Sequence, residues 1–155
     1  MTRRKKEEAK ALDGAILDIL STNAEATYSE IGKKVGASSS TVFNRILKLE
    51  NEGVIRGYIA VLDRVKAGKG TGAILLLSID HQASVEEVSE TLCGIPGVEA
   101  VYEIGGEADI VALIYAESIE KLRQLVNDRI NSIPGAANVT PLMIMRVYKE
   151  YGITF

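Results

Sequence analysis

Residues 35–58, "VGASSSTVFNRILKLENEGVIRGY", decide how the first half of the chain is interpreted. A run of serines and a threonine leads into a stretch where Val42, Ile46 and Leu49 recur at the spacing of one helix face. A hydroxyl of this run is suited to cap the helix start, and Gly53 is placed to end the helix in a left-handed conformation. The stretch therefore predicts a short helix with a buried apolar stripe and a polar outer face.

Two further helices are predicted upstream of this one. Thr27 and Glu30 have the spacing of a capping box at the start of a short helix, and Gly36 permits a sharp turn out of it. Still earlier, one face of another helix is marked by Leu12, Ile16, Ile19 and Leu20. Downstream, Val54–Leu62 is rich in β-branched and aromatic residues and predicts a strand. This order of elements is typical of a helix-turn-helix with a winged extension.

The third helix presents side chains that are suited to DNA. With Val42 pointing inward, Ser40, Asn44 and Lys48 fall on the far side at about 100° per residue. Small hydroxyls and an amide fit base edges in the major groove, the helix N-terminus attracts phosphate, and basic side chains meet the flanking phosphates. The residues predicted to bind DNA are Ser39, Ser40, Thr41, Asn44, Arg45, Lys48, Lys33 and Lys34.

Two residues of this helix have more than one interpretation. Arg45 lies only about 60° from the core direction, so it either contacts DNA or braces the fold. Phe43 sits at the edge of the apolar stripe and is suited to core packing, to a partner contact or to a groove contact.

The charge of the chain is divided unevenly. Residues 1–69 hold 13 Lys and Arg against 9 Asp and Glu, whereas residues 70–155 hold 5 against 12, so a net charge of −3 conceals a basic front half. A polyanionic partner for the front half is one interpretation of this asymmetry, and chance segregation of solubilising charge is the other.

The composition is that of an ordinary folded protein, with 46% apolar and 25% charged residues. The single cysteine, Cys93, indicates a reducing cytoplasm. No signal-peptide pattern is visible, and the longest apolar run, Gly72–Ile79, is far shorter than the ~20 residues of a membrane span. We therefore expect a cytoplasmic protein that does not enter the membrane.

The back half of the chain contains an internal repeat. "IPGV" at Ile95–Val98 recurs as "IPGA" at Ile133–Ala136, 38 residues later, and the same shift superposes the predicted strands and helices. Two strand–helix–strand copies in one sheet give a ferredoxin-like βαββαβ arrangement with helices on one face. We predict an α+β chain with a winged helix-turn-helix DNA-binding domain at 1–62, a linker at 63–72 and a βαββαβ domain at 73–155.

The first strand of this repeat is apolar on both faces. Ile74 and Leu76 alternate with Leu75 and Leu77, so the sheet face that the helices leave open also needs a cover. We infer that a second copy of the chain packs there as a homodimer.

An enzyme is the weaker interpretation. His81 and Cys93 are the only residues of their kinds, and no metal-ligand set with sensible spacing can be built from them. Nucleophilic catalysis lacks a base and an orienting group, and no G-x-x-x-x-G-K-[ST] phosphate loop occurs. We expect no catalytic residue, metal or cofactor, and we place Cys93 in the core as a small apolar side chain.

Taken together, these features resemble the leucine-responsive and asparagine-operon (Lrp/AsnC) regulators over Leu12–Lys149. "LDGAILDIL" is similar to that family's "LDxxDxxIL", with Ile16 in place of the second aspartate. Residues 28–63 are similar to its DNA-binding signature, most specifically in "GVIRGY" at Gly53–Tyr58. The resemblance implies a sequence-specific, DNA-binding transcriptional regulator. The alternative is a small-molecule-sensing oligomeric module whose winged helix binds protein.

The resemblance also implies partners beyond DNA. Members of this family form dimers and often octamers, and many bind a free amino acid between the regulatory domains of neighbouring dimers. "GEAD" at Gly106–Asp109 resembles the family's "GxxD" loop, and "TPLMIM" at Thr140–Met145 resembles a strand where effector-response residues lie. The implied effector-binding residues are Gly106, Asp109, Thr140, Leu142 and Ile144. Glycine amides are suited to a carboxylate and an aspartate to an ammonium, although "GGEAD" is equally an ordinary hairpin turn.

Overall fold

A computed structural model describes the backbone of residues 3–155 and the side chains of residues 7–155. The chain divides into two compact units, one ending at Ala60 and one beginning at Val61. The first residues of the basic N-terminal tail lie outside the described part of the chain. The domain limits at 1–62, 63–72 and 73–155 stay predictions.

The first unit is built from three helices. α1 spans Arg3–Thr22, α2 spans Tyr28–Val35 and α3 spans Ser39–Asn51. Their apolar stripes meet in a core whose central residues are fully buried or nearly so: Ile16, Ile31, Val42 and Ile46. Leu49 of α3 is also buried. The predicted helix-turn-helix and its apolar stripes are therefore confirmed.

Local side chains set where these helices begin and end. The Thr27 hydroxyl accepts a hydrogen bond from the Glu30 N–H at 3.3 Å, and the Glu30 carboxylate accepts one from the Thr27 N–H at 2.8 Å. This is the predicted capping box. Gly36 ends α2 at φ 69°, a left-handed conformation in which a Cβ would be strained. The Ser38 hydroxyl then caps α3 by accepting from the Thr41 N–H at 3.1 Å.

The predicted strand at Val54–Leu62 is wrong. Within residues 3–155 this segment belongs to no β-ladder, and its apolar side chains Tyr58, Ile59 and Leu62 are 50%, 66% and 54% exposed. A strand needs a neighbouring strand to satisfy its N–H and C=O groups, and the described chain supplies none here. The β-branched composition of the segment indicates an extended conformation, but it does not indicate whether a neighbouring strand is present.

The second unit is a four-stranded antiparallel sheet covered by helices on one face. Its strands, in the spatial order β2-β3-β1-β4, are β1 Thr71–Ile79, β2 Val98–Glu103, β3 Ile110–Ala116 and β4 Ala136–Met143. α4, Val85–Cys93, follows β1, and α5, Ile119–Gln124, follows β3 and continues as a π-helical segment over Leu125–Ile130. This is the predicted ferredoxin-like βαββαβ arrangement.

The core of the second unit lies between the helices and the inner sheet face. Its buried residues are Ala73, Leu75, Leu77, Val88, Leu92, Ile110, Ala112, Ile114, Leu122, Val126, Ile130 and Ile133. One residue predicted for it, Cys93, lies outside. Cys93 is exposed, because Val88 and Leu92 take the inward direction of α4 and the next residue turns about 100° away. Ile119, the first residue of α5, is 68% exposed.

The outer sheet face is apolar and uncovered in the single chain. Ile74 of β1 pairs with Leu142 of β4, and these side chains are 39% and 47% exposed. Tyr102, on the same face of β2, is 59% exposed. This is the face that the sequence predicts a second copy to cover.

The chain ends in a small hairpin that the sequence analysis did not predict. β5, Lys149–Glu150, pairs with β6, Ile153–Thr154. Its two turn residues, Tyr151 and Gly152, have φ values of 47° and 83°, as a tight two-residue hairpin turn requires.

Candidate nucleic-acid interface and effector site

The N-terminal half of α3 carries exposed short polar side chains. Ser39, Ser40, Thr41 and Asn44 are all exposed, whereas Val42 is fully buried. The Ser38 hydroxyl lies 3.0 Å from that of Ser40 and 2.8 Å from that of Thr41. Hydroxyl rotors such as these can turn to donate to or accept from a base edge, so this surface is chemically suited to polar contacts in a groove.

Exposed basic side chains lie on α2 and α3. Lys33 and Lys34 are exposed in the last turn of α2, and Lys48 is exposed in the last turn of α3. The Lys48 Nζ lies 3.4 Å from the Glu52 carboxylate, with both side chains about half exposed. An exposed pair of this kind is weak, so Lys48 remains available to a stronger anion.

Arg45 is placed differently from the other predicted DNA contacts. Its Nε donates to Asp13 Oδ1 of α1 at 2.5 Å, and its Nη2 pairs with Oδ2 of the same carboxylate. Only 19% of the Arg45 side chain is exposed. The hydrogen bond to Asp13 is the main reason that the pKa of Arg45 is raised above its ordinary value, against the opposing effect of burial. Of its two interpretations, this geometry matches the brace.

Phe43 lies beside the polar face rather than in the core. It is 44% exposed, and its ring packs edge-to-face on Tyr28, the first residue of α2, with the centroids 5.4 Å apart. Leu47, one turn later on the same stripe of α3, is 43% exposed.

Asp109, in the predicted effector loop, forms hydrogen bonds with the protein's own backbone. Its Oδ2 accepts from the Ile79 N–H at 2.7 Å, its N–H donates to the Leu77 carbonyl at 2.9 Å, and its carbonyl accepts from the Ile104 N–H at 2.8 Å. These bonds close the end of β1 against the loop that joins β2 to β3. The hairpin interpretation of "GGEAD" is therefore confirmed, and one carboxylate oxygen already has a partner.

The same loop borders an open cavity on the outer sheet face. The cavity is lined by Leu76, Ser78, Ile104, Glu107, Ala108, Asn138 and Thr140. Of the five predicted effector residues, Thr140 lines this cavity, Gly106 and Asp109 flank it in sequence, and Leu142 continues the same face of β4. Glu107, quoted in the "GEAD" motif but not selected, contributes a carboxylate that the sequence analysis missed.

Ile144 is separated from these four residues. Its N–H donates to the Gly72 carbonyl at 2.9 Å, near the opposite end of β1, and it lines a different cavity with Arg64, Tyr115 and Glu150. There the Arg64 guanidinium lies 3.8 Å above the Tyr115 ring and donates to Glu99 at 2.5 Å. The structure thus does not bring Ile144 together with the loop.

Two properties of the described residues bear on other functions. Among the side chains of residues 7–155, no group of three or more His, Cys, Asp and Glu is placed to hold a metal ion. No helix in the described part of the chain is both long and apolar enough to cross a membrane.

Both units of the chain are similar to known protein families. Residues 72–153 match the model of the Lrp/AsnC ligand binding domain, and residues 10–56 match a model of winged helix-turn-helix DNA-binding domains. The HTH-type transcriptional regulator FL11 of Pyrococcus horikoshii is 32% identical over 139 residues, which cover 90% of this chain and 91% of that protein. The HTH-type transcriptional regulator LrpA of the same organism is 32% identical over 138 residues, 88% and 96% of the two chains.

Solved structures show the same fold. A transcriptional regulator of Neisseria meningitidis, crystallised as an L-Met complex, superposes with a TM-score of 0.79 at 24% identity, covering 90% of this chain and 91% of that one. AsnC of E. coli superposes with a TM-score of 0.76 at 22% identity, covering 90% and 94%. By its matched domains and relatives, the chain belongs to the Lrp/AsnC family, and is a DNA-binding transcriptional regulator rather than an enzyme.

Proposed function

We propose that α3 enters the DNA major groove with its N-terminal half, so that Ser39, Ser40, Thr41 and Asn44 meet base edges. Lys33, Lys34 and Lys48 then contact phosphates on either side. The observation that carries this assignment is the exposed face that Ser40, Asn44 and Lys48 share on a helix whose opposite face is buried. Short side chains let the helix approach the bases closely.

In this proposal Arg45 positions α3 and does not bind DNA. The Asp13 carboxylate already holds two of the three guanidinium nitrogens, and only 19% of the Arg45 side chain is exposed. This commitment to the protein's own carboxylate supports a positioning role for Arg45.

The chain functions as a homodimer through the outer sheet face. The exposed apolar side chains Ile74, Leu142 and Tyr102 support this assembly, because a face of this kind is stable when another surface covers it. A two-fold dimer presents two copies of α3, so its site is a near-palindrome with half-sites about one helical turn, or a multiple of it, apart. We also propose that the dimers assemble further, for example to an octamer. The proposed location of the protein is the cytoplasm.

A free amino acid is the proposed effector. The cavity beside Gly106–Asp109 offers the Glu107 carboxylate, the Thr140 hydroxyl and the Asn138 amide, groups that suit a zwitterion. The Neisseria meningitidis regulator of the same fold was crystallised with L-Met, which supports the chemical class. Such an effector must bind one assembly more tightly than another, because equal affinity for both would shift nothing.

The DNA assignment is tested with the whole protein and duplexes recovered by selection from a random library. Asn44→Ala should flatten the preference between selected and scrambled duplexes, whereas Lys48→Ala should weaken both about equally. Binding should also weaken steeply as salt rises. A wild-type protein whose binding ignores salt would favour the protein-binding alternative, and unchanged preference in Asn44→Ala would contradict its role in base recognition.

The effector assignment is tested by thermal shift with each of the twenty amino acids. A true effector raises the melting temperature with a dependence on its concentration. Thr140→Val, which removes only the cavity hydroxyl, should reduce that shift, whereas Thr91→Val, an exposed position on α4, should not. Asp109→Ala is a poor probe because it also removes the bond to the Ile79 N–H. No shift with any amino acid would contradict this proposal.

A further inference from the structure

The polar face of α3 is flanked by an apolar edge, made of Tyr28, Phe43 and Leu47. These three side chains are 44%, 44% and 43% exposed, whereas Val42, Ile46 and Leu49 of the core stripe are no more than 4% exposed. The apolar edge is therefore not part of the core of the described unit. It is an apolar surface beside the groups that are proposed to meet base edges.

Helix geometry sets the apolar edge next to those groups. Phe43 and Leu47 are four residues apart and share one stripe, while Ser40 and Asn44 share the adjacent stripe. At about 100° per residue, Phe43 lies only about 60° from Ser40 around the helix. A base pair beside the one contacted by Ser40 or Asn44 would thus meet an aromatic ring.

Tyr28 holds that ring in place. It is the first residue of α2, between the capping-box residues Thr27 and Glu30, and it packs against Phe43 with an interplanar angle of 71°. An edge-to-face pair of this kind restricts the rotamers of both rings. Phe43 is therefore pre-positioned by the helix-turn-helix itself, so it does not have to be ordered when DNA binds.

Only one base-edge group in the major groove is apolar, the C5-methyl of thymine. We propose that Phe43, backed by Tyr28, contacts a thymine methyl in each half-site, next to the bases that Ser40 and Asn44 contact. The inference rests on the proposed placement of α3 in the major groove and adds a base preference to it. The apolar edge then contributes specificity for thymine at that position, where deoxyuridine offers the same hydrogen-bonding groups without the methyl.

The experiment changes one methyl on the DNA and one ring on the protein. A duplex selected by the wild-type protein is remade with each thymine in turn replaced by deoxyuridine, and affinities are measured for wild-type protein and Phe43→Ala. Wild type should lose roughly fourfold per half-site at one position, the size expected for burying one methyl group. Phe43→Ala should bind the thymine duplex more weakly and be indifferent to the methyl at that same position.

Two variants serve as controls, with melting temperatures confirming that each is folded. Ile119→Ala removes an exposed apolar side chain from the second unit and should keep the full preference for thymine. Tyr28→Ala should reduce the preference, because it removes the support of the Phe43 ring.

Two outcomes would overturn the inference and leave DNA binding itself intact. One is a wild-type protein that binds every deoxyuridine duplex as well as the thymine duplex. The other is a Phe43→Ala protein that retains the wild-type preference at every position. A wild-type protein that binds no duplex at all would instead contradict the placement of α3 in DNA, and the inference would fall with it.

Discussion

Asp13 on α1 and Arg45 on α3 form a two-point ion pair across the first unit. Arg45 Nε donates to Asp13 Oδ1 at 2.5 Å, and Nη2 pairs with Oδ2 while also donating to the Ala9 carbonyl at 3.3 Å. Both side chains are less than one-fifth exposed, at 19% and 18%. The helix proposed to contact DNA is thus tied to α1 by a polar clamp in addition to the apolar core.

Removal of this clamp should weaken the fold. Arg45→Ala leaves a half-buried carboxylate without its partner, and we expect a loss of about 2 kcal/mol from the free energy of unfolding in urea denaturation. Lys48→Ala is the matched control, because it breaks an exposed pair with Glu52 at 3.4 Å and should cost about 0.5 kcal/mol or less. Equal losses of unfolding free energy in the two variants would show that the Asp13–Arg45 pair stabilises the fold no more than the exposed Lys48–Glu52 pair.

For DNA binding we expect the reverse order: the Lys48 substitution should change the salt dependence of affinity, and the Arg45 substitution should not. If Lys48 contacts a phosphate, Lys48→Ala lowers the slope of log affinity against log salt by about 0.9. Arg45→Met, which keeps most of the apolar stem, should leave that slope unchanged. Fluorescence anisotropy with one duplex at several salt concentrations measures both. A similar fall in slope for Arg45→Met would place Arg45 at a phosphate and contradict the clamp as its main role.

Local patterns predicted most of the fold because their physical causes are local. The capping box at Thr27 and Glu30 and the buried stripe on α3 each depend on residues within one or two turns. The internal repeat extended this reasoning to a whole sheet. The strand expected at Val54–Leu62 failed because a strand also depends on a partner, and nothing within that segment indicates whether one is present.

The site was predictable in part for the same reason. Helical spacing placed Ser40 and Asn44 on one exposed face, which the structure shows. It left Arg45 ambiguous, because its partner Asp13 lies 32 residues away and only the packing of α1 against α3 brings them together. Likewise the resemblance grouped Ile144 with Asp109, whereas the length of β4 carries Ile144 to the other end of β1.

Acid should destabilise the first unit through Glu30. The backbone hydrogen bond from Thr27, followed by that from the Thr27 hydroxyl, lowers the pKa of the Glu30 carboxyl below 4.5. A carboxyl with a lowered folded pKa gives stability that is present above its unfolded pKa and lost as pH falls through the folded value. Melting temperatures of wild type and Glu30→Gln should therefore converge as pH falls below about 4.5. Glu103→Gln, in the second unit, controls for general acid effects, and a constant gap between wild type and Glu30→Gln down to low pH would contradict the prediction.

Alkali should destabilise the second unit through Tyr115. Burial, followed by the nearby Glu150 carboxylate, raises the pKa of Tyr115 above 10.0. The Tyr115 hydroxyl donates to Glu150 at 3.2 Å, a bond that the ionised form cannot make. Because the folded pKa is the higher one, its stabilising effect is complete below the unfolded pKa and is lost as pH rises through the folded value.

Two substitutions separate these causes in an ultraviolet titration of tyrosinate. Tyr115→Phe should remove one component that titrates above the ordinary pKa of tyrosine and flatten the loss of stability above about pH 10. Glu150→Gln should lower the pKa of Tyr115 but leave it above its ordinary value, since burial remains. A Glu150→Gln titration identical to wild type would show that the carboxylate has no influence on Tyr115.

One chemical change, glycine to alanine, should have opposite effects at two sites of the first unit. Gly14 lies inside α1 and Gly36 follows α2 at φ 69°, and no atom lies within 4 Å of a Cβ built at either position. The added methyl group therefore makes no new contact at either site, and the two substitutions differ only in the backbone conformation that alanine must adopt. Gly14→Ala should stabilise by about 0.5–1 kcal/mol because alanine favours the helix, whereas Gly36→Ala should destabilise by about 1 kcal/mol because its Cβ opposes the left-handed conformation. Urea denaturation of the two variants measures both signs, and a Gly36→Ala protein as stable as wild type would mean that the turn between α2 and α3 can relax out of its left-handed conformation.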